Sequence, residues 1–257
     1  MTIRMQRDEA GIVTVLFDRP EKRNAFTLDM YRQFGETFDL LEDDDSVRCI
    51  VLRGSGGAFC AGSDIGGFAD ERNGGEQART YAQITLDLTD KLKLSRHPTV
   101  ACIEGACVGG GLEIAAMCDI RIGARSARFG IPINRLGLTL DFRELADIVA
   151  LIGSAATLEI LLEGSIFDAG EALQKGLLTR VVDDNDVVEN AYGTARRIAS
   201  GAPLVNRWHK KFVRRLASSV PLEGHEISEP YQCFNTQDYQ IGQAAFLHKQ
   251  APQFVGR

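Results

Sequence analysis

Short apolar runs bounded by polar or glycine-containing turns recur at Ile12–Phe17, Cys49–Leu52, Val100–Ile103, Ile120–Ile122 and Leu178–Val182. Such runs predict strands. Helical spacing lies between them. Tyr31, Phe34, Phe38 and Leu41 fall on one face of a helix that Thr27 is placed to cap. Asp168 with Glu171 predicts a capping box, and Gly176 stands where a C-terminal glycine belongs. From Asn185 onward the pattern is helical, broken at Gly201-Ala202-Pro203 and Val220-Pro221, with no strand signal. The prediction is an α/β core over residues 1–184 and a C-terminal helical region over 185–257. Spacing alone fits either a doubly wound sheet or a spiral of β-β-α turns.

Composition narrows the classes. The chain has 257 residues, 44% hydrophobic and 25% charged, as expected of a soluble globular protein with one large domain and an appendage. A net charge of −6 argues against a nucleic-acid partner. The basic run Arg207, His209, Lys210, Lys211, Arg214 and Arg215 around Trp208 is the exception, and at helical spacing it reads as a solvated or partner-facing surface. Cys49, Cys60, Cys102, Cys107 and Cys118 fall mostly in apolar runs, and with Cys233 they show no metal-ligand spacing. They predict reduced, buried thiols and no metal site. The opening residues lack the apolar core of a signal peptide, and no run approaches 18 apolar residues. A cytoplasmic protein without a membrane partner is expected.

Two segments carry candidate chemistry. Phe59-Cys60-Ala61-Gly62-Ser63-Asp64-Ile65 and Gly105-Ala106-Cys107-Val108-Gly109-Gly110-Gly111-Leu112-Glu113 each end an apolar strand and present bare backbone before a helix. Without Cβ atoms, Gly62 and Gly109-Gly110-Gly111 let backbone approach a ligand closely. Two amide N–H groups aimed at one oxygen would stabilise a carbonyl that becomes an oxyanion or enolate. The second would also sit at a helix start, where the dipole favours negative charge.

With these segments, and with Arg19-Pro20-Glu21-Lys22-Arg23-Asn24-Ala25 near the start and Ala245-Phe246-Leu247-His248-Lys249 near the end, the chain resembles the crotonase (enoyl-CoA hydratase/isomerase) superfamily over almost its whole length. The resemblance implies a spiral of repeated β-β-α units and an acyl-CoA thioester as substrate, its oxygen held by the N–H groups of Ser63 and Gly110. It implies coenzyme A contacts at Arg23, Ala25, Ala61, Asp64, Ile65 and Gly109, with Lys249 near phosphate. Gly66 stands where many hydratases carry lysine, which shifts weight to Lys22 and Arg23. Coenzyme A is then part of the substrate, and no separate cofactor is called for. A trimer or dimer of trimers is the implied assembly.

Glu113, in the opening turn after Gly111, matches a hydratase glutamate that activates water. The second hydratase glutamate should follow the Gly-x-Pro element Gly130-Ile131-Pro132, where this chain has Ile133. Isoleucine moves no protons. Asp141, eight positions on, matches a catalytic aspartate of dienoyl-CoA isomerases, and with Glu144 it equally fits a helix-capping box. The resulting expectation is hydration or double-bond isomerisation of an unsaturated acyl-CoA, with Glu113 and Asp141 as acid and base. The alternatives are a non-catalytic acyl-CoA-binding protein, an acyl-CoA decarboxylase or hydrolase, and an RNA-binding relative. Ser63 lacks the Gly-x-Ser-x-Gly elbow of a nucleophile, His97 reads as a turn residue, and Asp64 reads chiefly as a loop stabiliser.

Overall fold

The computed structural model describes residues 2–68 and 72–257. Its main sheet has six strands: β1 (Ile3–Arg7), β2 (Ile12–Phe17), β3 (Cys49–Gly54), β4 (Thr99–Ile103), β6 (Ile120–Ala124) and β9 (Arg180–Val182), in that order. β1 pairs antiparallel with β2, and every later pair is parallel, with Val13 opposite Ile50 and Val51 opposite Val100. A second sheet holds β5 (Ala106–Val108), β7 (Arg128–Gly130) and β8 (Phe167–Asp168). The chain therefore alternates between sheets. β4 lies in the first and β5 in the second, and α3 (Gly110–Met117) follows; β6 and β7 repeat the step before α4 (Phe142–Glu163). That is a spiral of β-β-α turns rather than one doubly wound sheet.

Of the strands of the first sheet that the sequence marks, β2, β3, β4 and β6 are buried on both faces over most of their length and β4 at every position, whereas β9 at the sheet's edge is half-buried. The missed strands are explained by length and exposure. In β1 only Ile3 is buried, while β5, β7 and β8 have three, three and two residues. β9 starts at Arg180 because the amides of Leu177 and Leu178 turn back onto the carbonyl of Ala172, closing α5 (Ala169–Gln174). Asp168 caps that helix through the Glu171 amide at 2.9 Å.

α1 (Leu28–Glu42) buries the predicted stripe, and Thr27 caps it through the Met30 amide at 3.3 Å. Its aromatic residues join an edge-to-face cluster in which Phe17 meets Phe26, Phe34 and Phe59 at centroid distances of 5.0, 5.4 and 5.3 Å. This cluster fixes Phe26 and Phe59, which flank the glycine-bearing loop. α2 (Gly75–Leu94) packs along α1.

After residue 184 the described chain is helical: α6 (Val187–Ala199), α7 (Pro203–Leu216), α8 (Gly224–Ser228) and α9 (Gln237–His248). α6 buries Val187, Ala191 and Ala195 against the main sheet. α7 carries the basic run, and the structure spends those charges internally. Arg207 pairs with Asp45 at 3.1 Å, Lys210 and Arg214 both with Asp119 at 2.8 Å, Lys211 with Glu229 at 2.6 Å and Arg215 with Glu226 at 2.5 Å. Arg207, Lys210 and Arg214 thus clamp the helical region to the core, while Lys211 and Arg215 tie it together internally. All six cysteines are free, five of them buried.

α4 has the length and mean hydropathy, 1.9, of a helix that crosses a membrane, a feature the sequence reading did not find. Gly153, at φ 78° and ψ 161°, breaks it into two pieces, each shorter than the roughly 20 residues a bilayer core requires.

Candidate active site

Beyond β3 the chain runs beside β5. Phe59 N–H donates to the Glu104 carbonyl at 2.7 Å and Cys60 N–H to that of Ala106 at 2.9 Å, while Val108 N–H donates to the Cys60 carbonyl at 3.0 Å. Further along, Ser63 pairs with Phe26: Phe26 N–H donates to the Gly62 carbonyl at 2.8 Å and Asp64 N–H to the Phe26 carbonyl at 2.7 Å. In a parallel bridge the middle residue's own amide faces away, so Ser63 N–H is left free. On the other loop the carbonyl of Gly109 accepts from the amides of Leu112 and Glu113, and Gly110 N–H is left at the start of α3. Among the described residues neither amide has an acceptor.

The two free amides are neighbours. A Cβ placed on Gly62 would lie 3.6 Å from Gly110 N, and one on Gly110 would lie 3.8 Å from Ser63 N. Two glycines are sterically required here. Gly62 has φ +100° and no room toward the Val108 carbonyl, 2.9 Å from its missing Cβ, while a Gly110 Cβ would stand 2.6 Å from Tyr31 Oη.

The loop before α1 docks on the same strand end. Arg23 and Asn24 are both left-handed, with φ 49° and 56°. Asn24, fully buried, holds this turn by accepting from Arg19 N–H at 2.9 Å and donating to the Ser55 and Ala58 carbonyls at 2.9 and 2.7 Å. Ala61 N–H donates to the Arg23 carbonyl at 3.0 Å, and Arg19 pairs with Asp64 at 2.7 Å. Lys22, Arg23, Ala25, Ala61, Asp64 and Ile65 thus border one structure, with Lys22, Arg23 and Ile65 exposed. Asp64 caps a short 3₁₀ turn through Gly66 N–H at 3.0 Å, and its bond from Arg19 holds its carboxyl below the usual range. Lys249 ends α9 in a left-handed cap; among the described residues no hydrogen bond or ion pair joins it to this loop.

Glu113 is half-buried one turn into α3. The helix start favours its charged form, but burial dominates and, with the nearby Glu144 carboxylate, pushes its pKa from an ordinary 4.5 to about 8. Its charge helps to raise the Tyr31 phenol and the Cys60 thiol, and it stands in the first turn of the helix that Gly110 opens. Glu144 is also raised, by burial first and then by the charge of Asp141. Arg72 counters both glutamates, its guanidinium stacked 3.6 Å from the Tyr81 ring centre and 4.3 Å from that of Phe68.

The expected capping box at the start of α4 is formed in both directions: Arg143 N–H donates to Asp141 Oδ1 at 2.9 Å and Asp141 N–H to Glu144 Oε2 at 2.8 Å. Asp141 is exposed, and the residue of the box whose charge bears on Glu113 is the half-buried Glu144. Sequence reading credited Glu144 only with capping. Its second task rests on α3 and α4 packing together, which spacing does not encode. In the sequence Tyr31 likewise reads as core, Asn24 and Arg72 carry no signal of their own, and only the polar atom in an apolar stripe marks Tyr31. Ile133 lies half-buried against the core in a 3₁₀ turn. His97 lies in the bend before β4, as expected, and is fully buried there, its ring 2.8 Å from the Leu41 carbonyl. Among the described residues no three His, Cys, Asp or Glu side chains cluster as metal ligands.

A profile of the family described as enoyl-CoA hydratase/isomerase matches residues 7–257. A probable enoyl-CoA hydratase of Mycobacterium bovis is 35% identical over 263 residues, covering 100% of this chain and 98% of its own. The 1,2-epoxyphenylacetyl-CoA isomerase of Escherichia coli is 29% identical over 253 residues, covering 97% of each. A crystal structure of an enoyl-CoA hydratase/carnithine racemase from Magnetospirillum magneticum superposes with a TM-score of 0.98 at 43% identity, covering 100% of this chain and 96% of that one.

Proposed function

The chain belongs to the enoyl-CoA hydratase/isomerase family, and we propose that within it this enzyme moves a double bond along an unsaturated acyl-CoA by way of a thioester enolate. The observation that carries this reading is the pair of unpartnered amides, Ser63 and Gly110, beside a protonatable Glu113. The amides hold the thioester oxygen. Glu113 takes the α-proton, the C–H electron pair moves into the carbonyl as an enolate, and fixed dipoles stabilise that charge without reorganisation. Return of a proton at the γ-carbon completes the shift. The second carboxyl group comes from the opening of α4, where Asp141 and Glu144 form the capping box; Glu144 is favoured because Glu113 feels its charge.

Hydration is the second reading, supported by Glu113 alone. Ile133 weighs against it, since its apolar side chain offers no second group to hold water. Lys22, Arg23, Ala25, Ala61, Asp64, Ile65 and Gly109 are assigned to the coenzyme A path, with Lys249 assigned to phosphate. The chemistry calls for no metal or redox group. The exposed apolar side chains Phe142, Leu162, Phe246 and Leu247, each at least 72% exposed, suit a homo-oligomer, which we assign as a trimer or dimer of trimers.

Incubation with crotonyl-CoA, a 3-enoyl-CoA and a 3,5-dienoyl-CoA in deuterated water tests this. The expected result is double-bond migration of the 3-enoyl-CoA with deuterium at the γ-carbon, where the returned proton arrives, and deuterium exchange at the α-carbon of unshifted substrate by reversal of the first step, both lost in Glu113→Gln. Thioester binding without exchange in the wild type would replace the reading with a non-catalytic one.

A further inference from the structure

Tyr31 Oη lies 2.9 Å from Ser63 Oγ. The two oxygens stand 2.6 and 3.6 Å from the point a Gly110 Cβ would occupy, so both hydroxyls sit at the meeting of the two loops. Two hydroxyls hold two protons, and their mutual bond uses one, whichever donates. Among the described residues neither oxygen has another partner. One O–H is therefore left over next to two N–H groups that also lack acceptors. Three donors without a partner among the described residues therefore converge at one half-buried point, an arrangement suited to receive a single ligand oxygen.

Resting on the reading that Ser63 and Gly110 N–H hold the thioester oxygen, we propose that the Tyr31–Ser63 hydroxyl pair supplies a third hydrogen-bond donor to that oxygen. Tyr31 donates to Ser63 Oγ, and Ser63 Oγ–H donates to the substrate. Burial sets the order: Tyr31 is 4% exposed inside the aromatic cluster, 5.0 Å from the Phe26 ring, whereas Ser63 is only half-buried. Burial, with the neighbouring Tyr81, also raises the phenol's pKa well above 10, so its proton stays in place throughout the working range. Tyr31 is thus a positioning residue and Ser63 the one that touches substrate. A phenylalanine at position 31 would pack equally well against Phe26. The hydroxyl is what packing does not explain.

The test uses full-length Tyr31→Phe, Ser63→Ala and the double variant, with butyryl-CoA carrying a ¹³C carbonyl. Two quantities are read: the rate of α-proton exchange in deuterated water and the infrared carbonyl band of the bound thioester. Each single variant is expected to slow exchange on the order of 100-fold, as loss of one oxyanion donor does, while affinity for butyryl-CoA changes far less. The carbonyl band should move back toward its position in free thioester, and the double variant should be no worse than Ser63→Ala. Wild-type band position in both single variants would overturn the proposal, even if stability or KM fell, because that pattern belongs to packing. If the band of the wild-type complex itself matches free thioester, the amide reading fails and this proposal fails with it.

Discussion

Cys60 and Cys107 face each other across a single parallel bridge, flanked by hydrogen bonds of 2.9 and 3.0 Å through Ala106 and Val108. Distant in sequence, they are the point at which the two glycine-bearing loops become one edge. Everything beyond that pair inherits its geometry: Gly62 and Ser63 on one side, Gly109 and Gly110 on the other. Both cysteines are fully buried, and burial raises the pKa of both thiols, that of Cys60 to about 12, so they serve as small apolar spacers.

Gly110→Ala should damage both stability and exchange, because the added methyl stands 2.6 Å from Tyr31 Oη on a ring the aromatic cluster holds. Adding Tyr31→Phe removes the clashing oxygen. Urea unfolding of the two single variants and the double should then give a coupling energy on the order of 1 kcal/mol in favour of the double. Strict additivity would mean that the loop moves to accommodate the methyl.

Asp141 and Glu144 separate by mutation. Asp141→Ala removes a helix cap and should cost about 1 kcal/mol of stability while leaving exchange close to wild type. Glu144→Gln should slow exchange on the order of 100-fold, the scale of a lost acid–base group. The reverse ranking would return the catalytic role to Asp141.

Stability should depend on pH through Glu113. Its folded pKa is raised, from 4.5 to about 8, so the folded chain holds a proton that the unfolded chain has released. Stability on this account is complete below about pH 4.5, falls as pH rises toward 8 and is level above it. Urea midpoints of wild type and Glu113→Gln across that range should show wild type losing ground as pH rises. In the same window kcat/KM should climb and level off above about pH 8 if the carboxylate is the base.

Asp119 holds α7 to the core, accepting from Thr99 N–H at 2.7 Å and pairing with Lys210 and Arg214. The Lys210 side chain is 7% exposed, so Asp119→Asn leaves a buried cation without its counter-charge. A loss of about 3 kcal/mol is expected in chemical denaturation. Lys210→Met, which removes the charge with its partner's need for it, should cost less.

Sequence alone determined what local chemistry can write. The doubly buried strands were legible in Ile12–Phe17 and Val100–Ile103, because burial on both faces leaves no polar alternation. The helix caps at Thr27, Asp141 and Asp168 were legible from residue type and spacing, and the two loops from glycines that no other residue can replace. Tertiary structure decided the rest. The choice of spiral over doubly wound sheet turns on which sheet each short strand joins, and strands of two or three residues carry no periodicity to announce it. The influence of Glu144 on Glu113, the Tyr31–Ser63 hydroxyl bond and the pairing of a basic helix's charges with Asp45 and Asp119 all arise between segments far apart in the chain. Desolvation and Coulomb forces act on distances in space, and those exist only once the chain has folded.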